Sequence, residues 1–135
     1  MQPELWVRDT AAAVSYYGRA FGAVVEHRVG GPRDADGVVQ LSVSGARFWV
    51  SGASEQMGRL DPASIGGATS RVLLVVDDPH SLTEAATAAG ATLTSPVNEE
   101  HGWLIGRVVD PFGHEWEIGR PLGAWPPNSA RTEPS

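Results

Sequence analysis

The chain says the same thing twice, and that repetition limits its fold more than any other feature. Val7-Arg8-Asp9 lines up with Val76-Asp77-Asp78, Phe21-Gly22-Ala23 with Ala89-Gly90-Ala91, and Gly45-Ala46-Arg47-Phe48-Trp49-Val50 with Gly113-His114-Glu115-Trp116-Glu117-Ile118. The offset is 69 residues in the first strand and 68 afterwards, a one-residue slip inside the helix. Each copy reads strand, helix, strand, strand, strand. In the first, Glu4–Arg8 is a short strand with Leu5 and Val7 on one face and Gln2, Glu4 and Trp6 on the other. Asp9 or Thr10 caps a helix to about Phe21, with Ala13, Val14, Tyr17, Ala20 and Phe21 as its buried stripe, and Gly22 ends it. Val24–Val29, Val38–Val43 and Arg47–Ser51 follow as strands, the last two a hairpin across Ser44-Gly45.

In the second copy Val72–Val76 is a strand, and Asp78 or Ser81 opens a helix with Leu82, Ala85, Ala86 and Ala89 inward. Ala91–Thr94, Trp103–Val109 and His114–Ile118 are strands, with Ser95–Glu100 read as a loop. Two such βαβββ copies in 135 residues predict one α+β domain built by duplication, its two tandem modules forming a concave mixed sheet around a cleft. The expected organisation is a domain over 1–120, with module one at 1–52, a Gly/Ala/Ser-rich linker at 53–69 and module two at 70–119. A Pro-rich, disordered tail is expected over 121–135, with Trp125 able to dock on the body or on a partner.

Composition removes several chemistries. The chain has no cysteine, and all ten of its basic residues are arginine, so thiol, thiolate-metal, Schiff-base and Walker-lysine chemistry are excluded. A net charge of −6, spread along the chain, argues against nucleic acid as a partner and is compatible with a cationic ligand. No apolar run is long enough for a membrane helix and no basic-then-apolar leader is visible, so the expected location is the cytoplasm, with no membrane partner.

The closing stretch Asp110-Pro111-Phe112-Gly113 is turn chemistry between two strands. Beyond it, period-two alternation puts His114, Trp116 and Ile118 on a helix-covered face and Glu115 and Glu117 on the opposite one. Asp9, Tyr16-Tyr17, Phe21-Gly22-Ala23, Asp78, Gly90-Ala91, Asp110-Pro111-Phe112-Gly113-His114 and Trp116 together resemble the vicinal-oxygen-chelate superfamily. That group includes glyoxalase I, bleomycin- and fosfomycin-resistance proteins and extradiol dioxygenases. The resemblance covers residues 3–119 and is nearest to the small bacterial glyoxalase/bleomycin-resistance-like branch.

The resemblance implies metal-ligand positions at the start of each module's first strand and in the middle of its last strand. Here these fall on Gln2, Trp49, Arg71 and Glu117. Trp cannot ligate a metal, Arg carries a permanent charge and no acceptor, and Gln is a weak donor for a hard cation. A bound first-row metal normally needs about three protein ligands. The expectation is therefore no cofactor, and binding of a small organic molecule, a cationic or planar antibiotic, in the manner of a drug-sequestering resistance protein. Gln2, Glu4, Trp6, Trp49, Arg71, His101 and Glu117 are the expected ligand-binding residues. The tryptophans offer stacking surfaces, and His101 lies on a loop near the cleft mouth. The alternative is a lyase, isomerase or dioxygenase using a divalent metal, with Glu117 as ligand or general base. By the same resemblance the protein is expected to be a homodimer. His114 is expected to be a structural histidine.

Overall fold

The computed structural model describes residues 1–126. Both modules are present, each a four-stranded mixed sheet. Module one contains β1 (Glu4–Val7), α1 (Thr10–Phe21), β2 (Val24–Val29), β3 (Val38–Val43) and β4 (Ala46–Gly52), in sheet order β1-β4-β3-β2. Module two contains β5 (Arg71–Val75), α3 (Pro79–Ala88), β6 (Thr92–Glu100), β7 (Trp103–Val109) and β8 (Glu115–Pro121), in the order β5-β8-β7-β6. In each, the first and last strands pair in parallel and the rest of the sheet is antiparallel. The repeat extends to register: Leu5 sits opposite Val50 in one module and Leu74 opposite Ile118 in the other. All four are buried.

The helices begin where their caps place them. The Asp9 carboxylate accepts from the Ala12 amide and that of Asp78 from the Ser81 amide, both at 3.1 Å, so each satisfies an amide that has no partner within its helix. Gly22 closes α1 in the left-handed region, φ 67°. α1 buries Ala13, Tyr16, Tyr17, Ala20 and Phe21, whereas Val14 of the expected stripe is half-buried. In α3 only Ala86 of the four expected inward positions is fully buried, together with Thr83.

Residues 53–69, expected as a linker, hold a 3-10 turn (Glu55–Met57) and a short helix, α2 (Pro62–Ile65). Pro62 is buried against the Asp110–Gly113 turn. Gly113 has φ +89°, and a Cβ there would lie 2.8 Å from the Cβ of Pro62, so both conformation and space require glycine. The expected Ser95–Glu100 loop is instead a strand. It continues β6, pairing Asn98, Glu99 and Glu100 with Ile105, Leu104 and Trp103. Pro96, which has no amide proton, falls in a register irregularity of this edge strand, where its missing donor costs little. The last strand likewise runs on to Pro121, one residue into the expected tail. Beyond it the Leu122 amide donates to the Gly102 carbonyl (2.9 Å), and Trp125 packs edge-on against Trp103. Residues 127–135 of that tail lie outside the described residues.

A single core joins the modules. Trp116 of β8 packs against Tyr17 and Phe21 of α1 and Phe48 of β4, with ring centroids 5.6, 4.8 and 5.5 Å away. At its centre is Asp110, 4% exposed. One of its oxygens accepts from the Tyr17 hydroxyl (2.5 Å) and the Trp116 indole (2.9 Å), the other from the amides of Phe112 (2.9 Å) and His114 (3.0 Å). A buried carboxylate is tolerated only when it is so fully hydrogen-bonded. The Tyr16 hydroxyl donates to Ala86 O (3.3 Å), Arg8 donates to Pro111 O (2.9 Å) and lies over the Phe112 ring, and His114 Nε2 donates to Trp6 O (2.7 Å). Every one of these ties crosses from one module to the other. His114 is thus bonded as expected of a structural histidine.

Removing the Asp110 acceptor should therefore be felt globally. Asp110→Ala is expected to cost about 3–5 kcal/mol, and Tyr17→Phe about 1.5–3 kcal/mol, measured by urea unfolding. Tyr16 and Tyr17 are the only two tyrosines, and burial followed by the nearby Asp110 charge holds both hydroxyls above the ordinary value of 10.0. The folded state thus keeps protons that the unfolded chain releases, so stability should fall as pH rises past about 10. Absorbance near 295 nm should show tyrosinate appearing with unfolding and not before it.

Candidate functional site

Alternation along the strands turns Trp116 and Phe48 into the core and therefore turns Glu117 and Trp49 to the opposite faces of their sheets. The four positions implied by the resemblance meet there in two pairs. In module one, Gln2 Oε1 accepts from Trp49 Nε1 (2.8 Å) and Gln40 Nε2 (2.9 Å). In module two, Glu117 Oε1 faces Arg71 Nε at 3.5 Å, and its Oε2 accepts from Arg107 Nε at 3.0 Å. Gln40 pairs with Trp49 across β3–β4 as Arg107 pairs with Glu117 across β7–β8. The same triangle is thus built twice, neutral in one module and ionic in the other.

Arg107 carries the ionic triangle further. Its two terminal nitrogens donate to the two oxygens of Glu100, at 2.8 and 2.7 Å, a parallel fork. Those hydrogen bonds hold the Glu100 carboxyl below its ordinary range. The two carboxylates, first that of Glu100, hold the Arg107 guanidinium more firmly charged still. Arg107 and Glu117 are mostly covered, with side chains 25% and 16% exposed, whereas Arg71 is 48% exposed.

Above this charged floor is a cavity of about 330 Å³ lined by Leu73, Glu100, His101, Trp103, Ile105, Arg107, Glu117 and Trp125. Its walls are apolar and aromatic, and its two carboxylates converge on Arg107. His101 reaches it from the β6–β7 hairpin, where it and Gly102 take left-handed φ of 51° and 81°.

The other expected binding residues lie elsewhere. Gln2 also lines a cleft of about 480 Å³ between the modules, with Val72, Leu73, Leu74, Phe48 and Trp116 among its walls. Glu4 and Trp6 border a hollow of about 210 Å³ against Leu60, Pro62 and Ile65. Trp49 packs beside His27, ring centroids 6.1 Å apart. So Arg71 contacts Glu117, and Glu117 shares its cavity with His101, while Gln2 with Trp49 and Glu4 with Trp6 form separate groups.

Sequence reasoning missed Arg107, Glu100, Trp103 and Trp125. Three of them had a signal. The β7–β8 hairpin pairs Val109 with Glu115, so counting back two residues on each side sets Arg107 opposite Glu117, and alternation puts Trp103, Ile105 and Arg107 on one face. Counting the β6–β7 hairpin in the same way brings Glu100 beside Trp103. Trp125 stands out as a residue able to dock, but nothing local sets it beside Trp103.

A metal does not fit this arrangement. Each Glu117 oxygen is already paired with a guanidinium, the Gln2 carbonyl already takes two donors, and Trp49 offers none. Among the described residues there is no group of three or more His, Asp or Glu placed to hold one.

Residues 4–119 match the glyoxalase-like domain family, and the chain belongs to it. An uncharacterized protein of Mycobacterium tuberculosis, Rv0887c, is 34% identical over 126 residues, covering 90% of this chain and 74% of that protein. Among solved structures, TioX from Micromonospora sp. ML1 is 26% identical with a TM-score of 0.71, covering 92% of this chain and 97% of TioX. A bleomycin-binding protein in complex with bleomycin has the same fold, with a TM-score of 0.65 at 19% identity, covering 89% and 96% of the two chains. The vicinal-oxygen-chelate scaffold implied by the resemblance is thus the one observed. That scaffold hosts several chemistries, so the reaction or ligand has to be argued from the side chains.

The two arginines around Glu117 should differ in weight. Arg107→Met removes three short charged contacts from a mostly covered place and should cost about 1–3 kcal/mol. Arg71→Met, at a half-exposed site with one long contact, should stay within about 0.5 kcal/mol of the parent in the same urea titration.

Proposed function

We propose that the protein binds a small planar organic molecule, without a metal, in the cavity walled by Leu73, Trp103, Ile105 and Trp125. One observation carries this reading: where the superfamily's enzymes place a metal, this chain holds Glu117 between Arg71 and Arg107, beside an aromatic-walled cavity. A metal-dependent lyase, isomerase or dioxygenase would need Glu117 free to ligate, and a general base would need it free to face a substrate; here both of its oxygens are committed to guanidinium groups. For the same reason Glu117 is a poor anchor for a cationic drug. The aromatic walls favour the planar part of the ligand.

The bleomycin-binding neighbour supports binding as a use of this fold. A second copy of the chain is the expected partner: Leu73 and Val75 are 43% and 53% exposed on β5 beside the site, and covering them would finish its apolar wall.

A thermal-shift panel of planar aromatics should contain compounds that stabilise the fold by mass action, about 2.7 kcal/mol at one hundred times Kd. Trp103→Ala should abolish that shift. Nickel, zinc and manganese should produce none, and one tightly held metal per chain after purification without chelators would sink the proposal. Light scattering should report a dimer.

A further inference from the structure

Resting on that reading, we infer that the ligand is an amphipathic organic anion, a planar apolar body carrying one carboxylate, and that Glu100 holds the place this carboxylate takes on Arg107. The argument starts from what Arg107 offers the cavity. Its Nε is committed inward to Glu117, and its outward edge, the two terminal nitrogens, is presented as a parallel fork. A fork of that kind matches a carboxylate in plane and spacing. In the free chain the fork is filled by a carboxylate from within the same cavity wall. Glu100 is the last residue of β6, next to the His101-Gly102 turn. Its side chain is 27% exposed and can swing into solvent without disturbing the core.

Exchanging Glu100 for an external carboxylate replaces one bidentate charged pair by another of the same kind, so little is lost and the fork stays satisfied. The incoming molecule adds what Glu100 lacks, an apolar body between Leu73, Ile105, Trp103 and Trp125. The charge balance agrees. Arg71 and Arg107 face Glu117 and Glu100 and sum to zero; with Glu100 withdrawn the site carries one net positive charge, which an anion neutralises. A cation would instead leave that charge unmatched and add another.

Three probes of one shape separate the possibilities: 2-naphthoate, 2-naphthylmethanol and 2-naphthylmethylammonium, titrated against the intact protein by calorimetry. 2-Naphthoate should bind at least tenfold more tightly than the alcohol, the value of a charge-assisted hydrogen-bond pair, and the ammonium should bind most weakly. Glu100→Gln, which removes the competing charge, should tighten 2-naphthoate by about fivefold and leave the alcohol unchanged. Arg107→Lys should remove most of the preference for the acid, and Arg71→Met should retain it. If the alcohol binds as well as the acid, or Glu100→Gln leaves the acid unchanged, the anion inference is overturned while the planar-molecule site stands. If none of the three binds, both are overturned.

Discussion

Asp110 is the constraint on which the rest of the molecule rests. A carboxylate this deeply buried must have its lone pairs filled, and the four groups that fill them come from three places: α1 of module one, the turn that carries Asp110, and β8. Satisfying one side chain therefore fixes the distance between modules, the shape of the β7–β8 turn and the orientation of Trp116. Trp116 in turn carries much of the shared aromatic core. Because β8 alternates, orienting Trp116 inward also orients Glu117 outward. The polar site is positioned by a hydrogen-bond network lying on the other side of the same strand.

Duplication explains why the site takes the form it does. The two modules keep the same strand registers but have substituted different chemistry into equivalent corners. Gln2, Gln40 and Trp49 make a neutral knot of side-chain hydrogen bonds, while Arg71, Arg107 and Glu117 make an ionic one. In both cases the groups that point at the shared position satisfy one another. Module two goes further by extending the knot through Glu100 to the rim of a cavity, and that extension gives it chemistry to offer a ligand.

The repeat, the helix caps and the strand faces were legible because each is written in local pattern: Gly after a helical stripe, Asp three residues before a free amide, strict alternation across a turn. The strand over residues 95–100 was illegible because Pro96 and an irregular register disguise it, and its pairing is with β7 rather than within itself. The short helix at Pro62 has one turn and no periodicity to read. At the site, the residues on family positions were found but their partners were not. Arg107 and Glu100 matter through pairings across two hairpins, and Trp125 through a chain reversal after β8. The expectation that Trp49 and Glu117 share one cleft treated a face as though it were a cavity, whereas the side-chain contacts of Trp49 are with Gln2 and His27.

The parallel pairing of first and last strands has a consequence for the order in which this chain can fold. Among the described residues β1 has β4 as its one sheet neighbour, and β5 has β8, so neither module's first strand can dock until some 45 residues have followed it. β8 then arrives last, between β5 and β7, bringing Trp116 with it just after the turn that holds Asp110. Until that moment the Tyr17 hydroxyl has no acceptor and the rings of Phe21 and Phe48 lack their central neighbour. Such long-range closure slows folding, because loop entropy is lost before contacts reward it. A ribosome making this protein must release β8 before the core can close, and until then the earlier segments wait as incomplete sheets with apolar faces uncovered.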